Sequence, residues 1–220
     1  MGRFLIKLLG LAAALFLGWV LLVSLAPGSW IAAGAPCPRN LSWGPAWGSR
    51  VSPLAALSIP VPGGKVRVCY GRPSLRGRTM IGGDAVPFGQ LWRLGANEPT
   101  TLHTSRILRI GDLVLAPGSY SLYAIPGQRE WEIVINRKIR QWGLESEYTD
   151  EVRSHEVGRI TVPAQRLETP IETLTFLTQP SALGAADLIF EWQSTRWRLP
   201  IDTGGYAPES FEESAPAHEP

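Results

Sequence analysis

The sequence predicts an all-β chain, an antiparallel β-sandwich domain placed after one N-terminal transmembrane helix. Three observations carry this expectation. Short runs that alternate apolar and polar residues, punctuated by Gly and Pro, follow one another from residue 64 to residue 202. No long amphipathic helical pattern occurs in that stretch. Ahead of it, residues 8–26 contain no charged side chain. Alternation at period two marks half-buried strands, and turns every ten or so residues mark a sandwich or barrel. One wet face per sheet is what antiparallel pairing allows.

The N-terminal run is long enough to cross a hydrocarbon core of roughly 30 Å as a helix. Arg3 and Lys7 precede it. Basic residues stay on the cytoplasmic side, so the N-terminus is expected inside and the remainder outside. The alternative is a cleaved signal peptide, for which Ala32, Ala33 and Ala35 offer small residues. The apolar run exceeds the usual signal core of about 7–15 residues, which favours an uncleaved single-pass anchor. Either way the domain lies outside the cytoplasm. Pro36 before Cys37 does not resemble a lipoprotein cleavage box.

Residues 27–63 carry no helical or strand period and predict an irregular arm rich in Pro, Gly and Trp. In the domain from 64 to 202, residues 65–70 alternate first. Runs 105–110 and 113–115 flank the turn signal Gly111-Asp112. Pro117-Gly118 opens 119–125, and Pro126-Gly127 closes it. Trp131, Ile133 and Ile135 share a face of the next strand, and 159–162 and 172–177 follow. The last pair is 187–192 and 196–201, expected as two strands joined by a short loop. Single helical turns are expected within 86–94 and 145–156. Residues 203–220 are acidic, polar and Pro-containing, the composition of a disordered tail.

The net charge of +2 is too small to imply a nucleic-acid partner. Its distribution is uneven. Nine basic residues, from Arg3 to Arg78, precede the first acid, Asp84. Lys65, Arg67, Arg72, Arg76 and Arg78 read either as a patch for anionic head groups or polymers, or as a solvated strand edge that discourages sheet pairing. The two cysteines, Cys37 and Cys69, fit an oxidising compartment. Val66, Val68 and Tyr70 alternate toward a core, so Cys69 points to the opposite face, where the arm can bring Cys37. A disulfide and two free thiols both remain open at this point.

The central motifs add a resemblance. Gly77-Arg78, Val86-Pro87-Phe88-Gly89, Leu91-Trp92-Arg93-Leu94-Gly95-Ala96-Asn97-Glu98 and Thr100-Thr101 are followed by Gly118-Ser119-Tyr120-Ser121-Leu122 and Ile125-Pro126. Trp131-Glu132-Ile133-Val134-Ile135-Asn136, Gln141-Trp142-Gly143 and the strands around Trp192 and Arg196 complete the set. Together they resemble the bacterial domain-of-unknown-function 2911 family over about residues 64–202. The resemblance implies a β-rich, typically exported domain without a settled activity, and it supplies no catalytic residues. Asp84-Ala85, Phe88, Pro99 and Glu156 depart from the usual pattern. Any role that needs a tyrosine hydroxyl at position 88 is lost here.

The densest polar cluster is Trp92, Arg93, Asn97, Glu98, Thr100, Thr101 and His103. As a binding cleft, it would grip an anion with the Arg93 fork, bond a polar ligand through Asn97 and Glu98, and stack it on Trp92. As a fixed corner, Gly95 would take an unusual backbone angle, Arg93 would pair with Glu98, and Asn97 would cap loop amides. No Gly-x-Ser-x-Gly elbow and no His-Glu-x-x-His helix is present. His103, His155 and His218 lack metal-ligand spacing, and Gly82-Gly83 is too little for a phosphate loop, so neither metal nor cofactor is expected. The nine tryptophans read mainly as core, with Trp30, Trp43 and Trp47 near a membrane interface. The leading functional expectation is a non-enzymatic envelope module that binds a ligand or partner through the Trp92–His103 region. The alternatives are a hydrolase using Glu98 or His103 as base, and a structural envelope protein without a ligand.

Overall fold

The computed structural model describes residues 51–139, 141, 144–180 and 186–202, together with Leu15 and Cys37. The expected membrane run 8–26 (save Leu15), the arm tryptophans Trp30, Trp43 and Trp47, Trp142 and the acidic tail 203–220 lie outside these residues. No helix among the described residues is long and apolar enough to cross a membrane.

The described chain is all-β. Strands β1 (Leu54–Val61), β2 (Gly64–Gly71), β3 (Thr100–Thr104), β6 (Gly118–Ile125), β7 (Glu130–Asn136) and β8 (Glu156–Pro163) form one six-stranded sheet in the order β1-β2-β3-β6-β7-β8. Every pairing in it is antiparallel. The second layer comprises the long hairpin β9 (Gln165–Pro180) with β10 (Ala186–Ile201), and the small hairpin β4 (Leu108–Ile110) with β5 (Leu113–Leu115). A bridge between Arg109 and Asp202 joins the two hairpins, with Arg109 N–H donating to Asp202 O at 2.6 Å and Asp202 N–H to Arg109 O at 2.9 Å. A short helix α1 (Asp150–Arg153) is capped by the Thr149 side chain, which accepts from Val152 N–H.

Alternation decides what fills the space between the layers. Val66, Val68 and Tyr70 from β2, Tyr120, Leu122 and Ala124 from β6, and Trp131, Ile133 and Ile135 from β7 are all buried there. The second layer contributes Leu174 and Phe176 from β9 and Leu188, Phe190, Trp192, Trp197, Leu199 and Ile201 from β10. Their rings form a continuous cluster. Phe190 stacks on Trp197 at 5.1 Å and 4°, Trp92 stacks on Trp192 at 5.8 Å, and Trp131 sits 5.1 Å from Phe190. Such contacts add about 0.5–1.5 kcal/mol each beyond area burial.

Four sequence expectations need correction. Residues 54–61, assigned to the irregular arm, form β1, with Ile59 and Val61 buried. Pro60 disguised this strand, but β1 is at a sheet edge, where a missing N–H is tolerated. Residues 187–192 and 196–201 are not a hairpin but one 16-residue strand, β10, whose partner is β9. Register shifts between Glu191 and Gln193, and between Gln193 and Thr195, move the inward positions from even to odd numbers. The switch in parity imitates a turn. No helical turn forms in 86–94, where Val86 instead bridges Ile81. Finally, the left-handed residues of the 92–99 corner are Leu94 (φ 54°) and Asn97 (φ 67°), not Gly95.

Cys37 and Cys69 are joined, with Cα atoms 5.8 Å apart. The bridge fastens residue 37 to β2, on the side of the sheet away from the second layer. Restricting an unfolded loop of this 32-residue separation contributes about 3.5 kcal/mol in the chain-entropy account. The full chain is therefore expected to resist thiol labelling until reductant is added, and reduction should lower its unfolding free energy by roughly that amount. Labelling of both thiols without reductant would contradict the bridge.

Candidate functional site

Strand β3 divides the sequence-predicted cluster. Thr100, Leu102 and Thr104 alternate with Thr101 and His103, so the first set faces the second layer and the other set the outer face of the six-stranded sheet. Trp92 bridges Ala124 and lies in the inter-sheet core against Trp131, Phe190 and Trp192. The Thr100 hydroxyl donates to Leu94 O at 2.7 Å. Arg93 donates from Nη1 to Asn97 O at 2.8 Å, and Asn97 Nδ2 donates to Ser52 O at 3.2 Å. Glu98 is buried in the same corner. A side chain on Gly71 would place its Cβ 2.0 Å from Ala96 O, so the corner is pressed against a position only glycine can fill. The seven residues thus occupy a core, a corner and an outer face rather than one surface.

The outer face carries a polar group that the sequence alone did not assemble. Cross-strand register sets Ser58, Arg67, His103 and Ser119 in one row over β1, β2, β3 and β6. The next row holds Cys69, Thr101, Ser121 and Asn136. His103 has no exposed surface, and its Nδ1 lies 2.7 Å from Ser119 Oγ and its Nε2 2.9 Å from Thr101 Oγ1. A neutral imidazole offers one donor and one acceptor, and rotating hydroxyls satisfy both. Burial, and then the nearby Arg67 cation, lower the His103 pKa to about 4. No carboxylate orients this imidazole; its second partner is a threonine.

Farther across the same face, Lys138, Tyr148 and Val152 lie against Asn136 of β7, and Tyr148 also against Tyr123 of β6. Asn136 Nδ2 donates to Val152 O at 2.7 Å, and its Oδ1 accepts from Lys138 N–H at 2.7 Å. Tyr148 packs edge-on to Tyr123 at 4.9 Å and donates to Glu156 Oε1 at 2.7 Å. Burial pushes Tyr123 up to about 12. Arg159 grips Glu156 at 2.8 Å and Glu132 at 2.9 Å, and its bond holds the Glu156 carboxyl below its ordinary range. These groups hold one another across β7, β8 and the residues Lys138, Tyr148 and Val152, a meeting that no spacing rule could show.

The sequence also gave no hint of a cleft of about 530 Å³ at one end of the sandwich. Its wall is formed by Ile160, Val162 and Pro163 from edge strand β8, and by Leu199, Pro200 and Ile201 from the end of β10. Arg109, Arg198 and Asp202 are the charged groups of the wall. No group of His, Cys, Asp and Glu among the described residues is arranged to hold a metal ion.

The family model for a protein of unknown function, DUF2911, matches residues 52–201. The chain belongs to this family. The DUF2911 match begins ahead of β1, so that strand is an integral part of the family domain. No curated protein and no solved structure matches the chain. The string from Trp92 to Glu98, part of the stretch that DUF2911 matches, is in structural terms the corner that turns into β3.

His103 sets a pH dependence whose sign follows from its surroundings. Its unfolded pKa is near 6.5 and its folded pKa about 4, so the unfolded chain binds the proton first. Its contribution is complete above about pH 6.5, falls as pH drops, and is lost below about pH 4. The full span is about 3 kcal/mol. Urea unfolding of the full chain at a series of pH values should show this slope, and His103→Gln should remove it. Parallel stability curves for the two proteins would refute the assignment.

Proposed function

We propose that the chain is a membrane-anchored binding module of the cell envelope, with its domain outside the cytoplasm and no catalytic role, and that its ligand enters the cleft between β8 and β10. The cleft carries this reading. It is concave, its volume of about 530 Å³ falls in the range of small-molecule sites, and apolar walls surround a few charged groups. Support for the location comes from the uncharged run 8–26 behind Arg3 and Lys7, and from a disulfide that persists only in an oxidising compartment. The Trp92–His103 region is the weaker candidate, because Trp92, Thr100, Thr101 and His103 face inward or bond one another. Methyl NMR of the full chain in nanodiscs, titrated with a small-molecule extract of the envelope, tests the cleft. Resonances of Ile160, Val162 and Ile201 should shift saturably while that of Leu102 stays fixed. Unmoved cleft methyls, or a phosphatase fused at Gly205 that fails to become active outside the cytoplasm, would end the proposal.

One contact favours a second reading, a hydrolase with His103 as base: Ser119 Oγ stands 2.7 Å from His103 Nδ1. In this reading Ser119 is the nucleophile and Glu98 the further acid. A panel of ester, glycoside and phosphate substrates should then show turnover that His103→Ala, Ser119→Ala or Glu98→Ala abolishes. Absence of turnover, or turnover indifferent to all three changes, removes it.

A further inference from the structure

We propose that Arg67 anchors an oxyanion site on the outer face of the six-stranded sheet, and that the ligand is a phosphate group, free or carried by a lipid headgroup. This site is separate from the cleft and does not rest on the cleft's function.

Arg67 stands between Ser58 on β1 and His103 on β3, with Ser119 one strand farther. Its Nε is buried without an acceptor, and it is the one arginine nitrogen among the described residues in that condition. Buried donors are paired in the great majority of cases, and a guanidinium, which never loses its charge in proteins, gains most from an anionic acceptor.

Among the described residues, no carboxylate stands opposite or beside Arg67 on this face. Opposite and adjacent positions on this face are Ser58, His103, Lys65 and Cys69. Glu132 on β7 and Glu156 on β8, on the far side of the same face, bind Arg159. No acidic residue occurs before Asp84, so the sequence neighbours of Cys37 carry none either. Lys65, two residues before Arg67 on the same face, adds a second positive charge. Two parallel N–H bonds from a guanidinium match two oxygens of a phosphate, and Ser58 is the cross-strand neighbour of Arg67 on β1.

The position also makes a bilayer source reachable. Cys69 is two residues from Arg67 on this face, and Cys37 follows the uncharged run by 11 residues. Such a stretch spans at most ~40 Å.

His103 reports on the site, since the Arg67 cation contributes to its depressed pKa of about 4. The full chain in a non-ionic detergent is titrated at constant ionic strength with inorganic phosphate, and separately with dihexanoyl phosphatidylglycerol. Imidazole NMR follows His103, one of only three histidines. A bound phosphate offsets the cation, so the His103 pKa should rise saturably yet stay below 6.5, because burial is the larger cause. Arg67→Met should raise it without phosphate and abolish the saturable response. Arg67→Lys keeps the charge but loses the fork, and should weaken binding about 10-fold; it carries the test alone if Arg67→Met does not fold. Saturation by inorganic phosphate assigns a soluble ligand, and saturation by the lipid alone assigns a headgroup. No saturation by either, or saturation that Arg67→Met or Arg67→Lys leaves unchanged, overturns the site.

Discussion

The contact between Phe190 and Trp197 is the constraint on which the inward face of the second layer depends. Both rings come from β10, lie 5.1 Å apart and nearly parallel, and have no exposed surface. A regular strand could not bring them together on one face, because their separation of seven residues has the wrong parity. The irregularity at Gln193, which takes φ 54°, resolves the conflict. The same residue accepts from Met80 N–H at 2.9 Å and Ile81 N–H at 3.1 Å, so the loop before Val86 is held by the bulge that serves the core. Left-handed backbone at a non-glycine residue is costly and persists where its surroundings determine it. Here the return is a strand with apolar side chains facing inward along both halves.

The interior has its own cost. Trp131 and Trp197 bury their indole N–H groups without an acceptor, each a penalty of roughly 1–3 kcal/mol. Trp192, by contrast, reaches Glu172 O at 3.3 Å. The packing of five large rings evidently outweighs two missing hydrogen bonds, as the large area buried by each ring would suggest. The described tryptophans of the domain, Trp92, Trp131, Trp192 and Trp197, are all buried among other rings, so none is open to a ligand.

Much of this was legible in the sequence, and the failures share a cause. Strands β2, β6 and β7 alternate cleanly, and β2 and β6 are bounded by Gly or Pro, so their identity and inward faces followed from period two. β1 was hidden by a proline that an edge position tolerates, and β10 by a change of parity that two register shifts absorb. In both cases sheet context overrode a local signal. The polar cluster failed differently. Residues 92–103 are contiguous in sequence, but a strand sends neighbours to opposite faces, so contiguity is a poor guide to a site. His103 was visible as a candidate and Arg67 as one charge of a basic run, but their meeting with each other and with Ser119 was not, because only the pairing of β2, β3 and β6 brings them together.

That pairing leaves the outer face divided between two kinds of polar group. On the β6–β7 side, Asn136, Tyr148, Glu156 and Arg159 find partners within the domain. On the β2–β3 side, the disulfide fastens Cys37 to β2, two residues from a guanidinium whose Nε lacks an acceptor. A face that only had to be sealed would pair such a donor within the sheet, as Arg159 is paired with Glu132 and Glu156. Since a buried donor of a charged group without an acceptor is costly, the asymmetry points to an acceptor that the described residues do not supply.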